Sequence, residues 1–193
     1  MPDDNFEQEL INLGVDWVFD DYVETAGIDT ITYLYIPSNS IADLTGIKDF
    51  TALRELYCYS NQLTFLDLSN NSQLFEVSCG NNQLASIDLR NGNNTVMSTS
   101  STFFNLNNNP NLYCIEVNNI NYANNNWTFA NGSIDNQHYF NTNCSGTGIK
   151  EYTTYKELIK TIDILGQKTH FKKKEVLFYI YDDGTVEKKI FIE

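Results

Sequence analysis

A chain of 193 residues allows one or two domains, and its net charge of −13 argues against nucleic acid and anionic membrane surfaces as partners, because both attract basic patches. No apolar run approaches the roughly 18 residues that a bilayer crossing requires, so no membrane insertion is expected. Residues 1–147 carry three basic and seventeen acidic side chains against nine and eight in 148–193, and all 26 asparagines precede residue 148, which predicts two modules with separate tasks.

The start, Met1-Pro2-Asp3-Asp4-Asn5, has no basic n-region or apolar h-region, so it does not read as a signal peptide. Residues 4–14 read as a short helix, with Asp4 as its cap, Glu7 completing a capping box, Phe6, Leu10 and Leu13 on one face, and Gly14 at the stop. Residues 16–30 add Trp17, Val18, Phe19, Tyr22 and Val23, apolar material expected to cover the open end of a repeat array that starts at residue 31. Residues 1–30 are therefore assigned as an N-terminal cap.

The array repeats at a nearly fixed spacing. Leu53, Leu56, Cys58, Asn61, Gln62, Leu63, Leu66, Asp67 and Leu68 return 21 positions later as Leu74, Val77, Cys79, Asn82, Gln83, Leu84, Ile87, Asp88 and Leu89. A looser copy precedes them at a spacing of 22, through Ile31, Leu34, Ile36, Asn39, Ile41 and Leu44. This period, written Leu-x-x-Leu-x-Cys-x-x-Asn-x-Leu, is the signature of a leucine-rich-repeat solenoid over residues 31–117. The fold class expected is thus an α/β-type solenoid, mostly β and irregular. Each Leu-x-x-Leu-x-Cys should form one short parallel strand with Leu and Cys inward. Asn39, Asn61 and Asn82 should stack and satisfy loop backbone groups.

After Leu89 the pattern decays. Arg90–Thr102 reads as a longer loop, and a degenerate coil comes next in which Phe104, Leu106, Leu112, Ile115 and Val117 take the places of Leu66, Leu68, Leu74, Val77 and Cys79. Residues 118–147, with Tyr122, Trp127, Phe129, Ile134, Tyr139 and Phe140, read as a C-terminal cap, and Ser145-Gly146-Thr147-Gly148 as a linker. Residues 148–193 read as a small antiparallel β module. One strand covers Leu158–Leu165, two more cover Val176–Tyr181 and Val186–Ile192, and Asp182-Asp183-Gly184 is the turn between the last two.

Several pieces together resemble a known family. They are Pro2-Asp3-Asp4-Asn5-Phe6-Glu7-Gln8, Leu44-Thr45-Gly46-Ile47, Asn61-Gln62-Leu63-Thr64, Asn82-Gln83-Leu84 and Asn108-Asn109-Pro110-Asn111-Leu112. They resemble the leucine-rich-repeat surface proteins of Gram-negative bacteria that use type IX secretion. The end, Leu158-Ile159-Lys160-Thr161-Ile162-Asp163-Ile164-Leu165-Gly166 with Phe178–Lys189, resembles a short type IX C-terminal sorting tail that lacks the early Pro-Asn-Pro segment of the fuller form. The resemblance implies that the export machinery recognises residues 150–193, that the chain is secreted or held at the outer-membrane surface, and, because that family also needs an amino-terminal Sec signal, that the sequence is a fragment or has a misplaced start. A cytoplasmic interaction scaffold is the alternative.

Candidate chemistry is sparse. There is no nucleophile elbow, phosphate-binding glycine loop or His-Glu-x-x-His, so no catalytic residue, metal or cofactor is expected. His138 and His170 read as surface residues, and Asp67 and Asp88 as a solvent-facing column that caps turns. Cys58 and Cys79 fall in one inward column as stacked thiols. Cys114 and Cys144 differ, and a disulfide between them would staple the cap to the last coil.

The best functional candidate is aromatic. With Leu56 and Cys58 inward, Glu55, Tyr57 and Tyr59 face out on the concave strand. Tyr33 and Tyr35 fall in the same columns one coil earlier, and Glu76 one coil later. Tyrosine is enriched in binding surfaces, so this patch is read as the site for an unidentified surface protein or polysaccharide. The competing reading is cross-strand packing that only stabilises the sheet of a structural spacer.

Overall fold

The computed structural model describes residues 2–144, 158–162, 176–181 and 186–190. It divides into two compact units, Met1–Gly146 and Thr147–Glu193. In chain order the first unit contains α1 (Asp4–Asn12), α2 (Thr25–Ile28), β1 (Tyr33–Tyr35), β2 (Glu55–Tyr57), β3 (Phe65–Asp67), β4 (Glu76–Ser78), β5 (Ser86–Asp88), β6 (Phe104–Asn105), β7 (Cys114–Glu116), α3 (Ile120–Asn126) and β8 (Tyr139–Asn141). The second contains β9 (Leu158–Ile162), β10 (Val176–Tyr181) and β11 (Val186–Ile190).

Each repeat supplies two strands, where the sequence pattern suggested one. The first ladder runs β1-β2-β4-β6 and the second β3-β5-β7-β8, both parallel. Parallel pairing follows from the repeat, because equivalent residues one period apart must occupy equivalent places. Leu34, Leu56, Val77 and Phe104 point inward from the first ladder, and Leu66, Ile87, Ile115 and Phe140 from the second. The core is the apolar layer between them. A fully buried side chain of this size contributes about 1.5–3 kcal/mol.

The register corrects the expected alignment of the degenerate coil. Phe104 lies opposite Val77, and Ile115 opposite Ile87, so Phe104 continues the first ladder and not the column of Leu66. The loop over residues 90–102 lengthens the repeat, and the 21-residue period cannot be carried across it. The C-terminal cap also contributes a strand, because β8 extends the second ladder. Its core is Trp127, fully buried and stacked on Phe104 with ring centroids 4.0 Å apart, whereas Phe129 is exposed.

Asparagine side chains tie successive coils. The Asn61 amide donates to Ile36 O and Cys58 O and accepts from the backbone N–H groups of Asn39 and Ile41. Asn82 donates to Cys58 O and Cys79 O and accepts from Leu63, while Asn109 donates to Cys79 O and Leu106 O and accepts from Leu84. The buried rungs are therefore Asn61, Asn82 and Asn109. Asn39 is half-buried and only receives the Asn61 carbonyl on its own N–H, as the array has no earlier coil for it to bridge. Ser60, Asn81 and Asn108, each just before a rung, adopt left-handed backbone with φ near 58°, 55° and 58°.

The N-terminal helix is capped by Asp3, not Asp4. Asp3 accepts from Phe6 N and, with its second oxygen, from Ala42 and Asp43, which binds α1 to the first coil. Glu7 does not complete a capping box. It is buried and accepts from the N–H groups of Asp20 and Asp21, closing the loop after α1. Phe6 and Leu10 are buried, but Trp17 (83% exposed), Val18, Phe19 and Tyr22 face solvent and do not form the expected cover.

In the second unit β10 is flanked by β11 and β9, both antiparallel. The turn 182–184 and His170 lie outside the described residues. No helix among the described residues is long and apolar enough to cross a membrane.

Candidate functional site

The outer face of the first ladder gathers the predicted patch. Register places Tyr33 beside Glu55 and Glu55 beside Glu76, and Tyr35 beside Tyr57 and Tyr57 beside Ser78. Backbone bonds continue the rows, with Ser60 N donating to Gly80 O, which sets Tyr59 beside Gly80. The strand period of two sends these residues outward because Leu34, Leu56 and Val77 are held inward.

The rings pack against one another without leaving solvent. Tyr33 and Tyr35 are stacked with centroids 6.2 Å apart and planes 4° from parallel. Tyr57 lies tilted 5.8 Å from Tyr33 and 5.9 Å from Tyr35, and Tyr59 meets Tyr35 edge-on at 6.2 Å. The Tyr35 and Tyr59 hydroxyls are hydrogen-bonded at 2.8 Å, and the Tyr57 hydroxyl donates to Glu76 Oε2. Tyr33 and Tyr35 remain 53% and 45% exposed, while Tyr57, Tyr59, Glu55 and Glu76 are half-buried.

These contacts favour the protonated form of the Tyr57 and Tyr59 phenols. Partial burial, then the bond to Glu76 and the charges of Glu76 and Glu55, push the Tyr57 hydroxyl well above the usual phenol range. Tyr59 is raised first by its bond to Tyr35. The face presents aromatic planes, the hydroxyls of four tyrosines and the carboxylate side chains of Glu55 and Glu76.

Sequence reasoning missed one member. Since Val77 pairs with Phe104, Phe103 falls beside Glu76 on the outer face, and it is 40% exposed. The row thus reads Tyr33, Glu55, Glu76, Phe103. Only the corrected register reveals it. Beyond Tyr59 the face narrows to Gly80, where a Cβ would come within 2.8 Å of Asn105 Oδ1 and 3.1 Å of Asn107 O.

The cysteines separate into two pairs. Cys114 and Cys144 form a disulfide with Cα atoms 5.9 Å apart. It sits in a polar knot: Glu116 accepts from Cys144 N at 2.8 Å, and the Arg90 guanidinium contacts Glu116 at 3.2 Å and Asp88 at 2.6 Å. Cys58 and Cys79 are free, fully buried thiols with sulfurs 2.8 Å apart. Burial, and then the bond to Cys58, push the Cys79 thiol up, so it stays protonated.

Two expectations change at the acidic and imidazole positions. Asp67 accepts from Ser69 N and Oγ, as a turn cap should. Asp88 is buried and held by Arg90; burial raises its carboxyl, but the Arg90 bonds outweigh this and lower it overall. His138 is buried as well, with Nε2 3.6 Å from Asp135 Oδ2. It lies just before β8, with its side chain out of reach of solvent and its Nδ1 accepting from Asp135 N at 3.3 Å. Among the described residues no cluster of His, Cys, Asp and Glu is placed to hold a metal ion. A shallow cavity lined by Thr45, Gly46, Lys48, Phe65 and Asp67 lies at the edge of the second ladder, not at the tyrosines.

A 21-residue repeat, paired parallel ladders and bridging asparagines define a protein of the leucine-rich-repeat type. The chain is 39% identical over 71 residues to Internalin J of Listeria monocytogenes serotype 4b (strain F2365), a match that covers 37% of this chain and 8% of that protein. It is also similar to a solved structure described as the functional domain of InlJ from Listeria monocytogenes, which includes a cysteine ladder. That likeness has 26% identity and a TM-score of 0.47, and covers 75% of this chain and 27% of the other. The chain thus corresponds to a small part of each relative's length. No protein-family model matches it.

Proposed function

We propose that this chain is a non-enzymatic recognition module of solenoid form, displayed outside the cell, that binds a protein or polysaccharide through the outer face of its first ladder. The observation that carries the reading is the tyrosine cluster, with Tyr33 and Tyr35 exposed and Tyr57 and Tyr59 half-buried behind them, since large stiff rings with polar tips are the side chains from which binding hot spots are built. The Cys114–Cys144 disulfide supports an oxidising compartment. Residues 150–193, on this reading, are the address for type IX export.

The experiment is a binding panel of bacterial and host surface proteins and polysaccharides, measured with the full chain and with Tyr35→Ala and Tyr57→Ala. A ligand whose affinity falls about tenfold or more in both variants supports the reading. A genuine ligand indifferent to both removes the patch from it.

A second reading, a structural spacer without a ligand, is favoured by the bond between the Tyr35 and Tyr59 hydroxyls, which stabilises the sheet by itself. The exposure of Tyr33 and Tyr35 weighs against it. Loss of stability in Tyr35→Ala without any ligand in the panel would favour the spacer.

A further inference from the structure

The row Tyr33, Glu55, Glu76, Phe103 sets two carboxylates on adjacent strands, about 4.8 Å apart at the backbone, between aromatic rings. Like charges directly opposite one another on a sheet are destabilising. The ion pairs among the described residues lie elsewhere, between Arg90 and Asp88 or Glu116, and the contact of buried His138 with Asp135 is also remote from this row in sequence. Arg54, the base nearest in sequence, pairs with neither glutamate. Glu76 accepts one hydrogen bond, from the Tyr57 hydroxyl, whereas the Glu55 carboxylate has no hydrogen-bond partner among the described residues.

The geometry points to an arginine-bearing segment of a protein partner as the occupant of this face, a reading that rests on the recognition function proposed above and adds the chemistry of what is recognised. A cation placed here meets the negative faces of the tyrosine rings and two uncompensated carboxylates at once. Arginine fits better than lysine. Its planar guanidinium can lie on the near-parallel Tyr33 and Tyr35 rings while forking onto Glu55, which a compact ammonium cannot do. A neutral sugar would stack on the same rings but leave the paired negative charge uncompensated. The excess of acidic over basic residues in 1–147 steers cations toward the same module.

The test is calorimetric titration of the full chain with the pentapeptide acetyl-Gly-Arg-Gly-Arg-Gly-amide. A second peptide replaces arginine by citrulline, which keeps the shape and removes the charge. The third probe is the neutral trisaccharide of N-acetylglucosamine. The arginine peptide should bind about tenfold or more tightly than its citrulline counterpart, and E55Q/E76Q and Tyr35→Ala should each weaken it by about tenfold. The control E24Q/D29N removes two exposed charges at the ends of α2, outside the first ladder, and should change affinity by less than about twofold. Far-ultraviolet dichroism checks that each variant is folded, and E55Q/E76Q relieves a repulsion without deleting a packed group. Equal binding of the two peptides, or equal weakening by E24Q/D29N, overturns the inference. Binding of the trisaccharide, dependent on Tyr35 and without binding of the arginine peptide, overturns it too but leaves the recognition function intact. The surface-ligand panel decides that function separately.

Discussion

Tyr57, at the end of β2, donates a hydrogen bond from its hydroxyl to Glu76 at the start of β4, one strand over and two residues back. This diagonal bond holds one carboxylate of the face in place and leaves Glu55 beside it open. Tyr57→Phe keeps the ring and removes the bond, and should lower stability by about 0.5–1.5 kcal/mol in urea denaturation. Because the folded phenol titrates above its ordinary value of 10.0, its stabilising contribution is complete below pH 10 and declines at higher pH. Difference titration of the phenolate absorbance, native chain minus Tyr57→Phe, should show no ionisation of Tyr57 at pH 10. A phenol that titrates normally there would contradict the bond.

Asn82→Ala should be among the more damaging single changes. It leaves Leu63 N without its acceptor inside the core, at about 1–3 kcal/mol before relaxation, and takes from Cys58 O and Cys79 O one of their two amide donors, those of Asn61 and Asn109 remaining. A net loss of about 3 kcal/mol is expected by chemical denaturation. Asn39→Ala, at a half-buried position whose side chain bridges no earlier coil, should lose less than about 1 kcal/mol. Equal losses would mean that the rungs do not bridge the coils.

The two cysteine pairs should behave oppositely. Reduction, or Cys114→Ser with Cys144→Ser, opens a link across 30 residues and should lower stability by about 3–4 kcal/mol. A thiol reagent should find no reactive cysteine in the folded chain and two after denaturation without reductant, because Cys58 and Cys79 are fully buried. Rapid labelling of the native chain would refute their placement.

His138 predicts an acid sensitivity. Burial lowers its basicity in the fold, against the opposing pull of Asp135, so the unfolded chain takes up the proton more readily. Its stabilising contribution is complete above the ordinary value of 6.5 and falls as the pH drops below it. His138→Gln should flatten the change in melting temperature between pH 7.5 and pH 5.5. An unchanged slope would assign the sensitivity to other groups.

Much of the fold is legible in the chain because a repeat constrains itself. Leu56 and Val77 occupy equivalent environments, so a 21-residue spacing demands parallel strands in register. The tyrosine face follows from that register and the alternation of a strand. Phe103 did not follow, because the loop over 90–102 changes the period and sequence alone does not say where the extra residues are absorbed. Asn109 escaped for the same reason. Helix capping failed by one residue, since Asp3 and Asp4 are equivalent as caps locally and only Asp3 also reaches Ala42 and Asp43.

By itself the sequence determined the repeat, the inward columns of Leu, Val and Cys, and the set of tyrosines that share a face, because each follows from periodicity and backbone geometry. The tertiary structure alone decided which groups lack partners. That Glu76 is engaged and Glu55 is not, that His138 is buried, and that Trp17 is exposed depend on distances between segments remote in the chain. Such distances are set by packing, and packing is a property of the whole coil stack that no local pattern encodes.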